Sequence, residues 1–141
     1  MIRKYEEKDL KGLLDVWYSA SKVAHSFLSE EFFEQERRNI ADLHIPNAET
    51  WVYEKDHKVV GFISLIENEV GGIFVDPEFH GMGYGRELME QAKSLRPFLE
   101  LSVLKENMIG RTFYEKCGFK LVSEEMHEET GFMQLRLKLT W

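Results

Sequence analysis

The chain has little cysteine, little proline and no excess of positive charge. One cysteine, Cys117, among 141 residues cannot close an intrachain disulfide, so the fold does not rely on an oxidising compartment. The three prolines and ten glycines are scattered and form no linker, and no repeat or low-complexity tract divides the sequence. One domain over residues 1–141 is expected. The longest apolar run, Val59 to Ile66, falls far short of the ~20 residues that a membrane-spanning helix needs. The first residues, Met1-Ile2-Arg3-Lys4-Tyr5-Glu6-Glu7, carry no apolar stretch of the kind found in a secretory signal. A cytoplasmic location without a membrane partner is the expectation. Basic residues number 18 against 25 acidic, a net charge of −7, which lacks the basic footprint of a nucleic-acid binder. The same charge favours a cationic substrate through long-range steering, although solubility alone makes many proteins acidic. With 43% hydrophobic and 30% charged residues, the composition is that of a globular chain and not a disordered one.

Periodicity supplies the elements. Ile2 to Tyr5 suits a short strand. Leu10, Leu13, Leu14 and Trp17 recur at helical spacing behind Asp9, a candidate N-cap. A second helix is expected after Ser29, with Glu30 and Glu31 in the turn where the helix dipole favours anions and with Phe33 and Ile40 on one face. Pro46-Asn47 marks a break. Trp51-Val52-Tyr53 and Val59–Ile66 form strands around the polar loop Lys55 to Lys58, and the second is apolar at both parities, as a strand covered on both faces must be. Val70–Val75 is a further strand whose Gly71-Gly72 pair suggests a bulge or a close approach by ligand or backbone. Leu88, Met89, Ala92 and Leu95 mark a helix ended by Pro97, and Leu99, Leu101 and Val103 alternate as a strand. Asn107 caps another helix that stops at Gly118. Phe119–Ser123 and the strictly alternating Met133–Leu139 complete the order β-α-α-β-β-β-α-β-α-β-β, an α/β domain built on one sheet.

The stretch Val75-Asp76-Pro77-Glu78-Phe79-His80-Gly81-Met82-Gly83-Tyr84-Gly85-Arg86 lies between a strand and an amphipathic helix. Its backbone N–H groups therefore collect at a helix N-terminus, where they can converge on an anion, and three glycines remove Cβ atoms from its path. A phosphate or pyrophosphate is the natural guest. A Rossmann turn would need glycine at Arg86, and a Walker loop would need Gly-Lys-Ser/Thr, so neither is present.

This stretch resembles the coenzyme-A pyrophosphate loop of the GNAT acetyltransferase superfamily, Arg/Gln-x-x-Gly-x-Gly/Ala, read here as His80-Gly81-Met82-Gly83-Tyr84-Gly85. The superfamily's second landmark, Asn-x-x-Ala-x-x-Phe-Tyr-x-x-x-Gly-Phe, is matched by Asn107 through Phe119 with Tyr114 at its tyrosine. Two departures stand out: His80 replaces the usual arginine or glutamine, and Gly110 replaces the preferred alanine. The resemblance implies a single GNAT-like domain, with a mixed, mostly antiparallel central sheet of about six or seven strands and about four helices. It implies acetyl transfer from acetyl-CoA to a primary amine by direct attack in a ternary complex, without a metal. The acyl donor would rest on Ile73, Phe74 and Val75, on the loop from His80 to Arg86 (Met82 and Tyr84 included), and on Asn107 and Gly110. Strand backbone would pair with the pantetheine arm and polarise the thioester carbonyl.

By the same resemblance the Tyr114 hydroxyl protonates the departing thiolate, and phenol and thiol pKa values within about two units of each other suit that transfer. Packing of its ring is the competing role. Cys117, on a stripe with Ile109 and Phe113, has no activating charge and is expected to be a buried packing residue. Glu67, Glu69, Glu100 and His25 are candidate bases for the incoming ammonium. Acceptor recognition would fall to Trp17, Tyr18, Ser21, His25, Phe27 and Leu28, by cation–π contact or simply as packing. The five histidines are dispersed and show no metal motif. A small amine or a peptide amine is the expected partner, for a monomer or a homodimer. A non-catalytic acyl-CoA sensor and a lysine- or N-terminus-modifying enzyme remain alternatives.

Overall fold

The computed structural model describes residues 1–141. Seven strands form one sheet in the order β1-β2-β3-β4-β5-β7-β6. They are β1 Ile2–Lys4, β2 Glu49–Lys55, β3 Lys58–Ile66, β4 Glu69–Val75, β5 Leu99–Leu104, β6 Lys120–Met126 and β7 Met133–Leu139. The helices are α1 Leu10–Ala24, α2 Glu30–Asn39, α3 Tyr84–Leu95 and α4 Met108–Cys117. No helix is long and apolar enough to cross a membrane.

The doubly apolar run of β3 is covered on both faces, and every residue from Val59 to Leu65 is buried. Its odd positions Ile63 and Leu65 join Leu88, Met89 and Ala92 of α3, with Leu99, Leu101 and Val103 of β5, in one apolar layer. Phe62 joins Leu13, Leu14, Val16 and Trp17 of α1 and Phe33 of α2 in the other. Helices α1 and α2 therefore cover one face, and α3 with α4 the opposite face. Each fully buried side chain of the kind of Leu88 or Leu99 contributes about 1.5–3 kcal/mol.

Some local expectations change in detail. Asp9 precedes α1 without capping it. Its carboxylate accepts from the Glu6 N–H at 2.8 Å and takes a bidentate pair from Arg3 at 2.8 Å, and the Arg3 contact holds its pKa below the usual range. Ser29 does cap α2, through the Phe32 N–H at 3.1 Å. The helix then continues through a π-turn, Ile40–His44, before the 3-10 turn at Ile45–Asn47. Phe119 is a core residue and not the start of β6, which runs from Lys120 to Met126.

Two irregularities shape the middle of the sheet. Ser64 pairs with Gly72 but Leu65 pairs with Val70, so Gly71 is the extra residue of a bulge in β4. Next, β4 and β5 run parallel but share a single paired position, Glu69 with Glu100, and diverge beyond it. Two carboxylates side by side would repel. Arg136 of β7 bridges them, donating from Nη1 to Glu69 Oε2 at 2.7 Å and from Nη2 to Glu100 Oε2 at 3.2 Å. The divergence leaves the β5-facing edge of β4 without a strand partner from Gly71 to Val75.

Candidate active site

The glycine loop closes the diverging end of β4. Gly81 and Gly83 have φ of +82° and +86°, the left-handed region that disfavours any Cβ, and a Cβ built at either would meet nothing within 4 Å. Gly83 is the N-cap of α3 and no side chain caps that end. The N–H groups of Tyr84, Gly85 and Arg86 thus lack helical acceptors. Gly85 serves a different purpose: a Cβ there would lie 3.2 Å from Phe113 Cε1, so its absence lets α3 approach α4. Tyr84 is anchored by stacking on Tyr53 with ring centroids 4.1 Å apart. His80 Nε2 donates to the Val75 carbonyl at 2.8 Å, tying the head of the loop to the end of the strand. This gives the substituted imidazole a loop-ordering task.

A cleft of about 930 Å³ opens between these elements. Of the residues expected to hold the acyl donor, Ile73, Phe74, Val75, His80, Gly81, Gly83, Tyr84, Gly85, Arg86, Asn107 and Gly110 all line it. Met82 does not; its side chain is exposed at the loop's outer surface. Tyr114 lines the cleft with its ring edge-on to Phe113 and Phe119, each 5.6 Å away. Burial pushes its hydroxyl well above the ordinary tyrosine value, with Cys117 adding to the shift. The group therefore stays protonated across the neutral range. Cys117 packs beside it, its thiol also raised by burial, as a packing residue should be. The expected stripe is not continuous, because Ile109 is exposed and lines the cleft mouth.

Asn107 and His25 join the two sides of the divergence. The Gly110 N–H donates to Asn107 Oδ1 at 2.9 Å, which fixes the amide's orientation. Asn107 Nδ2 then donates to His25 Nε2 at 3.1 Å, so that nitrogen carries a lone pair and the imidazole is neutral. Burial lowers the His25 pKa below its ordinary 6.5, in agreement. Because the folded-state value is depressed, the unfolded chain binds this proton first. The stability contributed by the neutral ring is complete above about pH 6.5 and is lost as pH falls through the lowered value. Denaturant titrations near pH 5 and pH 7.5 should therefore show a smaller pH-dependent loss for His25→Gln than for the unsubstituted protein. Equal losses would remove His25 from the acid response.

Gly110 is explained by the same contact. A Cβ at this position would sit 2.6 Å from Asn107 Nδ2 and 3.0 Å from its Cγ. Gly110→Ala should forgo the ~1 kcal/mol that alanine usually gains in a helix, because it must displace the buried Asn107 amide from both partners. Denaturation should show no stabilisation, and an NMR titration should show the His25 pKa moving back toward 6.5. A gain near 1 kcal/mol with an unmoved His25 would contradict this account.

Several expected residues lie elsewhere. Glu67, Glu69 and Glu100 do not line the cleft: Glu69 and Glu100 are engaged by Arg136, and Glu67 sits in the β3–β4 turn, where its carbonyl accepts from Arg96. Of the four candidate bases only His25 faces the cleft, and its Nε2 lone pair is occupied. Trp17 is 5% exposed and mainly core, although one edge lines the cleft with Leu28. Phe27 is outside it, stacked edge-on with Phe132 at 4.9 Å. Tyr18 is also outside, its hydroxyl on Glu30. Ser21 lines the cleft, 1% exposed, and its Oγ is the buried side-chain polar atom without a partner. Sequence reasoning missed Glu36, His44, His127 and Gln134, all cleft-lining. Glu36 had a visible signal: it falls three residues after Phe33 and four before Ile40, on the buried stripe of α2. The others lie in turns and on a strand end, where periodicity carries no information. No three His, Cys, Asp or Glu side chains are grouped to hold a metal ion.

A phosphate-type loop at a helix start, an unpaired strand edge and a cleft passing through the sheet define a transferase that takes its acyl group from a coenzyme-A thioester. The chain belongs to the GNAT acetyltransferase family, whose domain model matches residues 46–121. It is 30% identical over 131 residues to the peptidyl-lysine N-acetyltransferase YiaC of Escherichia coli, covering 92% of this chain and 90% of that protein. It is 32% identical over 132 residues to the peptidyl-lysine N-acetyltransferase YjaB of the same organism, covering 92% and 88%. The solution structure of apo YjaB superposes with a TM-score of 0.87 at 28% identity, over 99% of this chain and 96% of that one. The fold is shared too with the PaiA N-acetyltransferase of Thermoplasma acidophilum in complex with coenzyme A, at a TM-score of 0.76 and 24% identity over 100% and 98% of the two chains. This protein is an acetyl-CoA-dependent N-acetyltransferase.

Proposed function

We propose that the acceptor is the side-chain amine of a lysine in a peptide or protein, acetylated in the cytoplasm. The observation that carries this reading is the near full-length similarity to two enzymes named as peptidyl-lysine acetyltransferases. A cleft that continues past α4 to the α2 side of the sheet gives a long aminoalkyl chain a path to the thioester.

In this reading the amides of Gly81 to Arg86 hold the pyrophosphate, and the free edge of Ile73, Phe74 and Val75 pairs with the pantetheine arm. A backbone N–H on that edge stabilises the oxyanion as the neutral amine attacks the thioester carbon. The C–N bond forms, the attacking nitrogen passes its surplus proton to water, the C–S bond breaks, and Tyr114 donates its proton to the thiolate and recovers one from water. With no β4, β5 or α4 carboxylate in the cleft, the ammonium loses its proton to water before attack.

Incubation with acetyl-CoA and peptides carrying either a lysine or only a free α-amine, followed by thiol release and mass spectrometry, tests the assignment. Acetylation on lysine Nε is expected. Transfer only to α-amines or only to small amines would overturn the lysine reading, and absence of any transfer would favour a non-catalytic sensor.

A further inference from the structure

Charge is sorted across the cleft. Of its lining residues only Arg86, Lys116 and Glu36 carry a formal charge. The two cations belong to α3 and α4, on the side of the sheet that bears the phosphate loop. Glu36 belongs to α2, on the opposite side, and it is the only carboxylate that faces the cavity.

Glu36 is the carboxylate that α2 brings to the edge of the cleft. Helical spacing puts it on the stripe of Phe33 and Ile40, which are 3% and 8% exposed, and Glu36 is itself only partly exposed. No lysine, arginine or histidine lies within salt-bridge distance, although the chain forms such pairs at many other carboxylates. Its one side-chain contact is a weak acceptance by Oε1 from Asn39 Nδ2 at 3.2 Å, which leaves Oε2 without a partner. Phe32, Phe33 and His44 border the same part of the cleft. A partly buried carboxylate that faces a cavity from the apolar side of its helix, with no counter-ion of its own, is open to a cationic ligand that enters there.

We infer that Glu36 selects acceptors bearing a second positive charge, such as a lysine beside another basic residue, by pairing with that second charge. The inference rests on the acetyltransferase reading and narrows its acceptor class. The second charge, and not the reacting one, is the partner for a chemical reason. A carboxylate in contact with the attacking nitrogen would hold it as ammonium, which has no lone pair to attack with. Glu36 stands across the cleft from the α4 wall that bears Tyr114, where it can fix one cation while the other amine, deprotonated, reaches the thioester. The net charge of −7 adds attraction at long range for the same class.

Two acceptor pairs test the inference: 1,5-diaminopentane against n-pentylamine, and a lysine peptide with arginine neighbours against the same peptide with glycine neighbours. For the unsubstituted enzyme kcat/KM should favour the dicationic member of a pair by about tenfold, carried by KM, and added salt should reduce the ratio. Glu36→Gln keeps the shape and the Asn39 contact and should bring the ratio to within about threefold of unity. Glu36→Lys should invert it. Undiminished preference in Glu36→Gln, or no preference in the unsubstituted enzyme, would overturn the inference. Glu36-dependent selection among the small amines without any peptide acetylation would instead sink the lysine reading and leave the inference standing. Peptide acetylation indifferent to flanking charge would do the reverse.

Discussion

Gly83→Val should bind acetyl-CoA roughly 10²–10³-fold more weakly, with the fold intact. Gly83 sits at φ +86°, where a residue with a Cβ costs about 1–2 kcal/mol, and β-branching adds to that. The strain is relieved by turning the peptide away, and then the first-turn amides of α3 no longer converge. Each charge-assisted hydrogen bond from an amide to a phosphate oxygen is worth about 1.5–3 kcal/mol. The open space around this position matters as well: a valine there meets no protein atom within 4 Å and so does not disturb packing, but it occupies the volume in front of the amides. Calorimetry with acetyl-CoA, alongside a melting curve for the variant, checks the result. Unchanged affinity in a folded Gly83→Val protein would remove the loop from the donor site.

Tyr114→Phe is expected to act on a different quantity. The ring and its edge-on contacts with Phe113 and Phe119 remain, so affinity for acetyl-CoA should change little, while kcat falls by about 10²–10⁴-fold, the reach of a positioned acid. Burial raises the Tyr114 hydroxyl, which by itself would widen its gap from a thiol. A thiolate expelled into the same poorly hydrated cleft is destabilised by the same cause, so its proton affinity rises in parallel and the match is kept. The raised value also means that no alkaline limb from this tyrosine should appear in kcat below about pH 9. Full kcat in Tyr114→Phe, with a slower acyl donor used to ensure that chemistry limits the rate, would make Tyr114 a packing residue and leave water as the proton source.

Most of the architecture was legible in the chain because the signals were local. The alternation of Met133 to Leu139, the two-sided apolarity of Val59 to Ile66 and the Ser29 and Asn107 caps each report on a few adjacent residues, and the structure follows them. The glycine loop at one end of the cleft was legible for the same reason, since the loop and the first turn of α3 are contiguous. The acceptor half was not. Glu67, Glu69 and Glu100 have the right chemistry, but their location depends on where β4 and β5 part and on Arg136, a residue from a distant strand. Glu36 and His44 come to the cleft only through the packing of α2 against α1, and the His25–Asn107 contact spans 82 positions of sequence. Gly110, read as a departure beside a bound cofactor, lines the cleft and is also fitted to the Asn107 side chain.

The extra residue in β4 divides that strand into two reading frames. On the loop side of Gly71, Gly72 and Phe74 face α1, and Ile73 and Val75 face α3; on the other side, Val70 faces α3 and Glu69 turns toward Arg136. The strand is thus out of phase with itself by one residue, and the length of this segment is information that no choice of side chain can replace. Deleting Gly71 would restore plain alternation, with Val70 still facing α3 and Glu69 still turned toward Arg136, but it would remove the local bend that the bulge gives β4 where that strand parts from β5. Substitutions are tolerated or not according to their chemistry, but in this segment the count of residues sets the course of the backbone, and so where the two strands separate.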